Sequence, residues 1–115
     1  MLTIDNLRQF GVNVEEGLGR CMNNEMFYLR MVNMSLADKN FDILAKGVED
    51  GDRKTSFEAA HALKGVLGNL SLTPLYEIVQ VLTDQLRSET ADVSGAKEMV
   101  VRLTKLKNDL NDLAK

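Results

Sequence analysis

Apolar residues spaced three and four apart, in a chain with a single proline, are the feature that most limits what this sequence can fold into. This spacing places apolar side chains along one face of an α-helix, whereas a half-buried β-strand shows strict alternation. Proline interrupts helices, so its scarcity leaves long helices uninterrupted. The sequence therefore predicts an all-α fold.

Capping residues indicate two short helices in the N-terminal part of the chain. Asn13 followed by Glu16 resembles a capping box at the start of a helix near 14–21. One of two adjacent asparagines that follow suits the start of a second helix near 25–37. We expect these helices to cap or flank the rest of the fold.

Four further segments follow, and their apolar stripes predict an antiparallel four-helix bundle, since short connections favour antiparallel neighbours. The predicted helices cover residues 41–51, 53–70, 73–86 and 96–113. The last of these has the stripe Ala96, Met99, Leu103, Leu106, Leu110 and Leu113. We expect one domain over residues 1–115, with flanking helices over about 1–38 and the bundle over about 41–114. The stripe suits a monomer or a dimer seam, and the monomer is the simpler expectation.

Composition excludes several classes of function. Fourteen basic and seventeen acidic residues give a formal net charge of −3, which argues against a nucleic-acid partner. The single cysteine, Cys21, leaves no intrachain disulfide and no thiolate zinc site. The first ten residues lack a charged leader, and no window has membrane-spanning length, so we expect a cytoplasmic protein with no membrane partner.

His61 is the single histidine, and it lies on the face of the predicted helix 53–70 opposite the apolar stripe. A lone histidine is most often a core or surface filler, but this position predicts exposure to solvent. Lys64 lies one turn on, and Gly65 and Gly68 flank the imidazole. Each exposed helical glycine costs about 1 kcal/mol relative to alanine, so this pair favours access to the histidine over stability.

These residue types suit phosphoryl transfer. Imidazole exists largely in its neutral, nucleophilic form near neutral pH, and the Lys64 ammonium is placed to attract an anionic group. Phosphoryl transfer needs positioning and charge stabilisation, with little other covalent machinery. His61, Lys64 and open access therefore form a minimal set for phosphoryl transfer, with a partner expected to supply the metal ion and the carboxylate.

The segment from His61 to Gly65 resembles the HxLKG signature of histidine-containing phosphotransfer (HPt) domains, the intermediates of multistep two-component phosphorelays. The resemblance extends over AHALKGVLGNLSLTPLYEIVQVLTDQLR, and upstream over GVNVEEGLGRC and MFYLRMVNMSLAD. It implies that His61 is phosphorylated at Nε2, that Lys64 stabilises the phosphoryl group and that Gly65 opens the site to its partners. It also implies response-regulator receiver domains as partners, with a hybrid sensor histidine kinase as a further candidate. No cofactor is expected in the chain itself, because Mg²⁺ belongs to the receiver domain.

Two positions depart from the family pattern. Ser71 stands where the family often has a glycine, and Thr83 stands where a glutamine or glutamate often faces the histidine. Gln80 and Arg87, one turn either side of Thr83, are candidates for the missing polar contact. Phe57, one turn before the histidine, either packs against the N-terminal helices or belongs to an apolar patch on which a receiver domain docks.

The sequence suggests two functions, and a third class lacks the residues that it would need. The leading hypothesis is a phosphocarrier that accepts a phosphoryl group from one receiver domain and passes it to another. It would not be an enzyme with its own turnover, because no glycine-rich nucleotide loop is apparent. The alternative is a helical adaptor that binds receiver or kinase domains through the same surface without being phosphorylated. A hydrolase or metalloenzyme would need paired carboxylates or a ligand cluster around His61, and neither is visible.

Overall fold

The computed structural model describes all 115 residues, and it confirms the all-α prediction. The helices are α1 (Ile4–Phe10), α2 (Val14–Arg20), α3 (Glu25–Leu36), α4 (Asn40–Glu49), α5 (Arg53–Asn69), α6 (Thr73–Leu86) and α7 (Lys97–Leu113). A 3₁₀ turn over Val93–Ala96 precedes α7. None of these helices combines the length and the apolar character needed to span a lipid bilayer.

The last four helices form the predicted antiparallel bundle. α5 packs against both α4 and α6, and α7 closes the bundle by packing against the same two helices. The bundle core consists of small and branched apolar side chains, namely Leu44, Ala59, Ala60, Leu63, Leu67, Leu75, Val79, Leu82, Leu86, Leu103 and Leu110. Because α4 and α6 cover α5 from two sides, its apolar face is buried and its other face is left to solvent.

Side-chain caps begin three of the predicted helices where the sequence places them. Asn13 accepts a hydrogen bond from the Glu16 backbone at the start of α2, and Asn24 caps α3 in the same way. The capping box expected at α2 is only half formed, because the Asn13 backbone N–H donates to a carbonyl oxygen outside α2 and not to the Glu16 side chain. Asp52 accepts from the backbone N–H and the hydroxyl of Thr55 at the start of α5, and these bonds lower the pKa of its carboxyl group.

The N-terminal region contains one helix more than the two that the sequence indicates. α1 is only seven residues long, and Thr3 and Asn6 cap its start through reciprocal hydrogen bonds between side chain and backbone. Leu2 and Leu7 are buried in the same core as the bundle. Tertiary burial therefore stabilises a helix too short to persist alone.

The predicted stripe of the last helix differs from the structure at its C-terminal end. Leu113 is 38% exposed, whereas Val100, which the stripe omits, is buried. Leu113 is the last residue of α7. The seam spacing therefore identifies the core of α7 but not the point at which its neighbours stop covering it.

Tyr28 joins the N-terminal helices to the bundle. Its side chain is fully buried, and its hydroxyl donates a hydrogen bond of 2.8 Å to the Leu70 carbonyl oxygen at the end of α5. Burial raises the pKa of this phenol to about 12. The ring packs directly against Gly17, where an added Cβ would lie 2.6 Å from Tyr28 Cε1. The absence of a side chain at Gly17 thus allows α2 to approach α3.

This contact predicts opposite effects for two glycines of the same helix. Gly17→Ala should lower the free energy of unfolding by about 1–3 kcal/mol, because the Tyr28 ring has to move in a packed core. Gly19→Ala should leave it unchanged or raise it by up to about 1 kcal/mol, because nothing lies within 4 Å of the added Cβ. Chemical denaturation of both variants is the measurement. Equal effects at the two positions would contradict the close approach of Tyr28 to α2.

Candidate functional site

His61 lies on the outer face of α5, near the middle of the helix. It is exposed, whereas its neighbours Ala59, Ala60 and Leu63 are buried between the other bundle helices. This placement agrees with the helical spacing, since residues opposite a buried stripe must face solvent. The imidazole is therefore accessible to a partner without any rearrangement of the bundle.

An aromatic and cationic row extends from the imidazole to α6. The rings of Phe57 and His61 are stacked with centroids 5.9 Å apart, and the Arg87 guanidinium lies 5.6 Å from the centre of the Phe57 ring. Phe57 is half-buried and packs against the core. Its ring thus lies between the histidine and α6, and its role in docking a partner stays a prediction.

A polar hollow of about 690 Å³ opens beside His61. Its lining residues are Asn13, Glu16, Arg20, His61, Lys64, Gly65, Gly68, Asn69, Ser71, Thr73 and Tyr76. They come from α5, from the turn and first residues of α6, and from α2 and its cap. The predicted residues His61, Lys64, Gly65 and Gly68 are therefore brought together on one wall of the hollow.

The Lys64 side chain is available to an incoming anion. None of the ion pairs in the chain involves Lys64, so its ammonium is not neutralised by a carboxylate. It lines the same hollow as His61, one helical turn further along α5. An exposed nucleophilic imidazole beside an unpaired ammonium suits the binding of an anionic group at the nitrogen.

The two glycines near the histidine differ in what they leave open. A Cβ added at Gly65 would meet nothing within 4 Å, so the approach to His61 is open there. A Cβ added at Gly68 would lie 2.9 Å from Cε1 of Tyr76. Gly68 lines the hollow, but its missing side chain makes room for a ring of this chain. The sequence analysis expected Gly68 to clear space for a partner, whereas the structure shows Tyr76 in that space.

Thr83 and its neighbours Gln80 and Arg87 do not line the hollow. Thr83 is fully buried, and its hydroxyl donates a hydrogen bond of 2.7 Å to the Val79 carbonyl oxygen within α6. Gln80 and Arg87 are exposed, yet neither lines the hollow. Arg87 instead lies over Phe57 and approaches Asp84 to 3.6 Å. Contact of Gln80 or Arg87 with a phosphoryl group stays a prediction.

Sequence patterns missed the residues that close the far side of the hollow. Arg20 donates hydrogen bonds to the Gly68 carbonyl oxygen and, at 3.1 Å, to Ser71 Oγ. The Ser71 hydroxyl donates a bond of 2.8 Å to the Glu16 carboxylate. The one signal in the sequence was the departure from glycine at Ser71, whose φ of +56° lies in the left-handed region that glycine favours.

No three histidine, cysteine, aspartate or glutamate side chains come together in a way that could hold a metal ion. Among the residues that line the hollow, His61 is the one with an imidazole, a side chain type that can act as a nucleophile, and Lys64 carries an ammonium that can stabilise negative charge. Glu16 is the one carboxylate that lines the hollow, and it is paired with Arg20 at 3.1 Å.

Comparison with known proteins identifies the family of the chain. The family model described as Hpt domain matches residues 32–115, which include α5 and both of its bundle neighbours. No curated protein and no solved structure matches the chain. Because the match covers most of the chain and includes His61, Lys64 and Gly65, the chain belongs to the Hpt domain family, whose role is phosphotransfer in two-component signalling.

Proposed function

We propose that this protein is a histidine phosphocarrier, in which His61 accepts a phosphoryl group from a receiver-domain aspartate and passes it to another receiver domain. The observation that carries the proposal is the exposed His61 beside the unpaired Lys64 on one wall of an open hollow. Membership of the Hpt domain family supports it. Receiver domains and a hybrid sensor histidine kinase are the proposed partners.

In the proposed transfer, the lone pair of His61 Nε2 forms a bond to phosphorus while the bond from phosphorus to the aspartate oxygen breaks. The receiver domain recovers its carboxylate, and His61 carries the phosphoryl group until the reverse exchange occurs with a second receiver. The Lys64 ammonium stabilises the negative charge on the phosphoryl oxygens. The open side at Gly65 admits the receiver, which supplies Mg²⁺ from its own site.

The proposal assigns no ATP hydrolysis and no self-phosphorylation to the chain, so the protein acts as a carrier and not as an enzyme. It requires no cofactor of its own. We place it in the cytoplasm as a monomer. Burial of the core within one copy of the chain supports the monomer.

One observation favours a second candidate function, a non-phosphorylated adaptor that binds receiver or kinase domains through the same surface. Thr83 is buried and bonded within α6, so that position offers no polar group to the histidine. An adaptor would keep the docking surface and lose the transfer. The two functions differ in whether His61 acquires a phosphoryl group in the presence of a charged receiver.

The first experiment therefore measures labelling of His61. The protein is incubated with Mg²⁺-loaded receiver domains charged by a small phosphodonor, and intact mass and acid lability of the product are recorded. An acid-labile adduct supports the carrier. Receivers that bind without forming an adduct would support the adaptor.

His61→Gln should abolish this labelling and change the free energy of unfolding by no more than about 0.5 kcal/mol. The reason is that an exposed side chain contributes little packing. Labelling and thermal unfolding are measured on the same preparation. A variant that still forms the acid-labile adduct would remove His61 from the mechanism.

Lys64→Ala should slow transfer from a charged receiver about tenfold, because one stabilising charge beside the phosphoryl oxygens is lost. Lys54→Ala is the matched control, since Lys54 is exposed at the start of the same helix and lies outside the hollow. Quenched time courses of transfer give the rates. Equal rates for the two variants would argue against stabilisation by Lys64.

Gly65→Gln should slow transfer about tenfold by obstructing the approach to His61, while raising the free energy of unfolding by up to about 1 kcal/mol. Gly95→Gln serves as control, because an added Cβ there also meets nothing within 4 Å and the residue does not line the hollow. Transfer rates and denaturation curves are compared. Unchanged transfer in Gly65→Gln would contradict the access role.

A further inference from the structure

The C-terminal end of α5 is held by an arginine from a different helix. The last-turn carbonyl groups of a helix lack partners within it, and a cation there is favourable because of the helix dipole. α5 has no basic residue in its own last turn. Arg20 of α2 takes this place by donating to the Gly68 carbonyl oxygen and to Ser71 Oγ.

The backbone conformation of Ser71 also depends on contacts from α2 and the residue that caps it. Its left-handed φ of +56° costs about 1 kcal/mol for a residue with a side chain, and the residue is buried. Its hydroxyl donates to Glu16, and its carbonyl oxygen accepts a 3.2 Å hydrogen bond from the Asn13 backbone N–H. The Glu16 carboxylate also pairs with Arg20 at 3.1 Å. Contacts from residues 13–20 thus hold the turn between α5 and α6.

The polar residues that hold this turn also form part of the site that contains His61. Asn13, Glu16, Arg20 and Ser71 line the same hollow as His61. The three N-terminal residues lie outside the segment 32–115 that matches the Hpt domain family. One wall of the hollow is therefore built by a part of the chain that the family match does not include.

We propose that Arg20 is a positioning residue for phosphoryl transfer: it holds the end of α5 against α2 and so sets the shape of the hollow that a receiver domain enters to reach His61. This inference rests on the proposed carrier function. Arg20 acts on the docking of the receiver and not on the reacting nitrogen. Its loss should raise KM, defined for this carrier as the concentration of charged receiver at which the single-turnover transfer rate is half-maximal, and leave kcat, the limiting single-turnover rate, nearly unchanged.

The test compares Arg20→Gln with Arg8→Gln. The two side chains are 48% and 52% exposed, and each pairs with a glutamate of α2, but only Arg20 lines the hollow. Two reactions are measured: direct labelling of His61 by phosphoramidate, which needs no partner, and transfer from an Mg²⁺-loaded receiver charged with acetyl phosphate. The receiver is one that labels the wild-type protein.

Arg20→Gln should raise KM for the charged receiver about tenfold, with kcat and phosphoramidate labelling within about twofold of wild type. A tenfold change corresponds to about 1.4 kcal/mol, which is the scale of one hydrogen bond to a charged group. Arg8→Gln should match wild type in both reactions. A purely structural role for Arg20 would lower the melting temperature and leave KM of the folded protein unchanged, and that result would overturn the proposal.

Ser71→Ala keeps the test valid if Arg20→Gln does not fold. It removes the hydroxyl that bonds to both Glu16 and Arg20 and leaves their direct ion pair in place, so it should raise KM by a smaller factor, about threefold, with phosphoramidate labelling unchanged. A KM equal to that of Arg8→Gln would overturn the proposal. Failure of the wild-type protein to accept a phosphoryl group from phosphoramidate or any receiver would instead overturn the carrier function, and this inference with it.

Discussion

Burial of one face of α5 between α4 and α6 is the constraint on which the fold and the site both depend. The small side chains of Ala59 and Ala60 and the larger Leu63 and Leu67 fill the space between these helices. Because successive residues of a helix are about 100° apart, burying this stripe turns the opposite face to solvent. The orientation of His61 therefore follows from the same packing that holds the bundle together, and needs no separate support.

The N-terminal helices are joined to this bundle at the turn between α5 and α6. The Tyr28 hydroxyl bonds to Leu70, while Arg20 and Glu16 bond to Ser71. These contacts stabilise a turn that carries a left-handed residue and complete the hollow next to the histidine. The flanking helices thus contribute to the site as well as to the core.

Most of the helices were predictable because the sequence signals that specify them are local. Apolar spacing and the caps at Asn13 and Asp52 depend on residues within one or two helical turns, and these identify where α2 and α5 begin. α1 was not predicted because it is only seven residues long, and what stabilises it is the burial of Leu2 and Leu7 against distant parts of the chain. Leu113 was wrongly placed in the buried stripe. Its spacing suits a seam, but it is 38% exposed at the end of α7, where other helices leave it partly uncovered.

The sequence by itself determined which face of α5 carries His61, Lys64 and Gly65, because helix periodicity relates these residues to the buried stripe without reference to any other element. Only the tertiary structure decided what surrounds them. It placed Tyr76 against Gly68, turned Thr83 into the core, and brought Arg20 to a helix end 48 residues away in the chain. Such contacts join residues far apart in sequence, so no local pattern specifies them, and they form only when the helices pack.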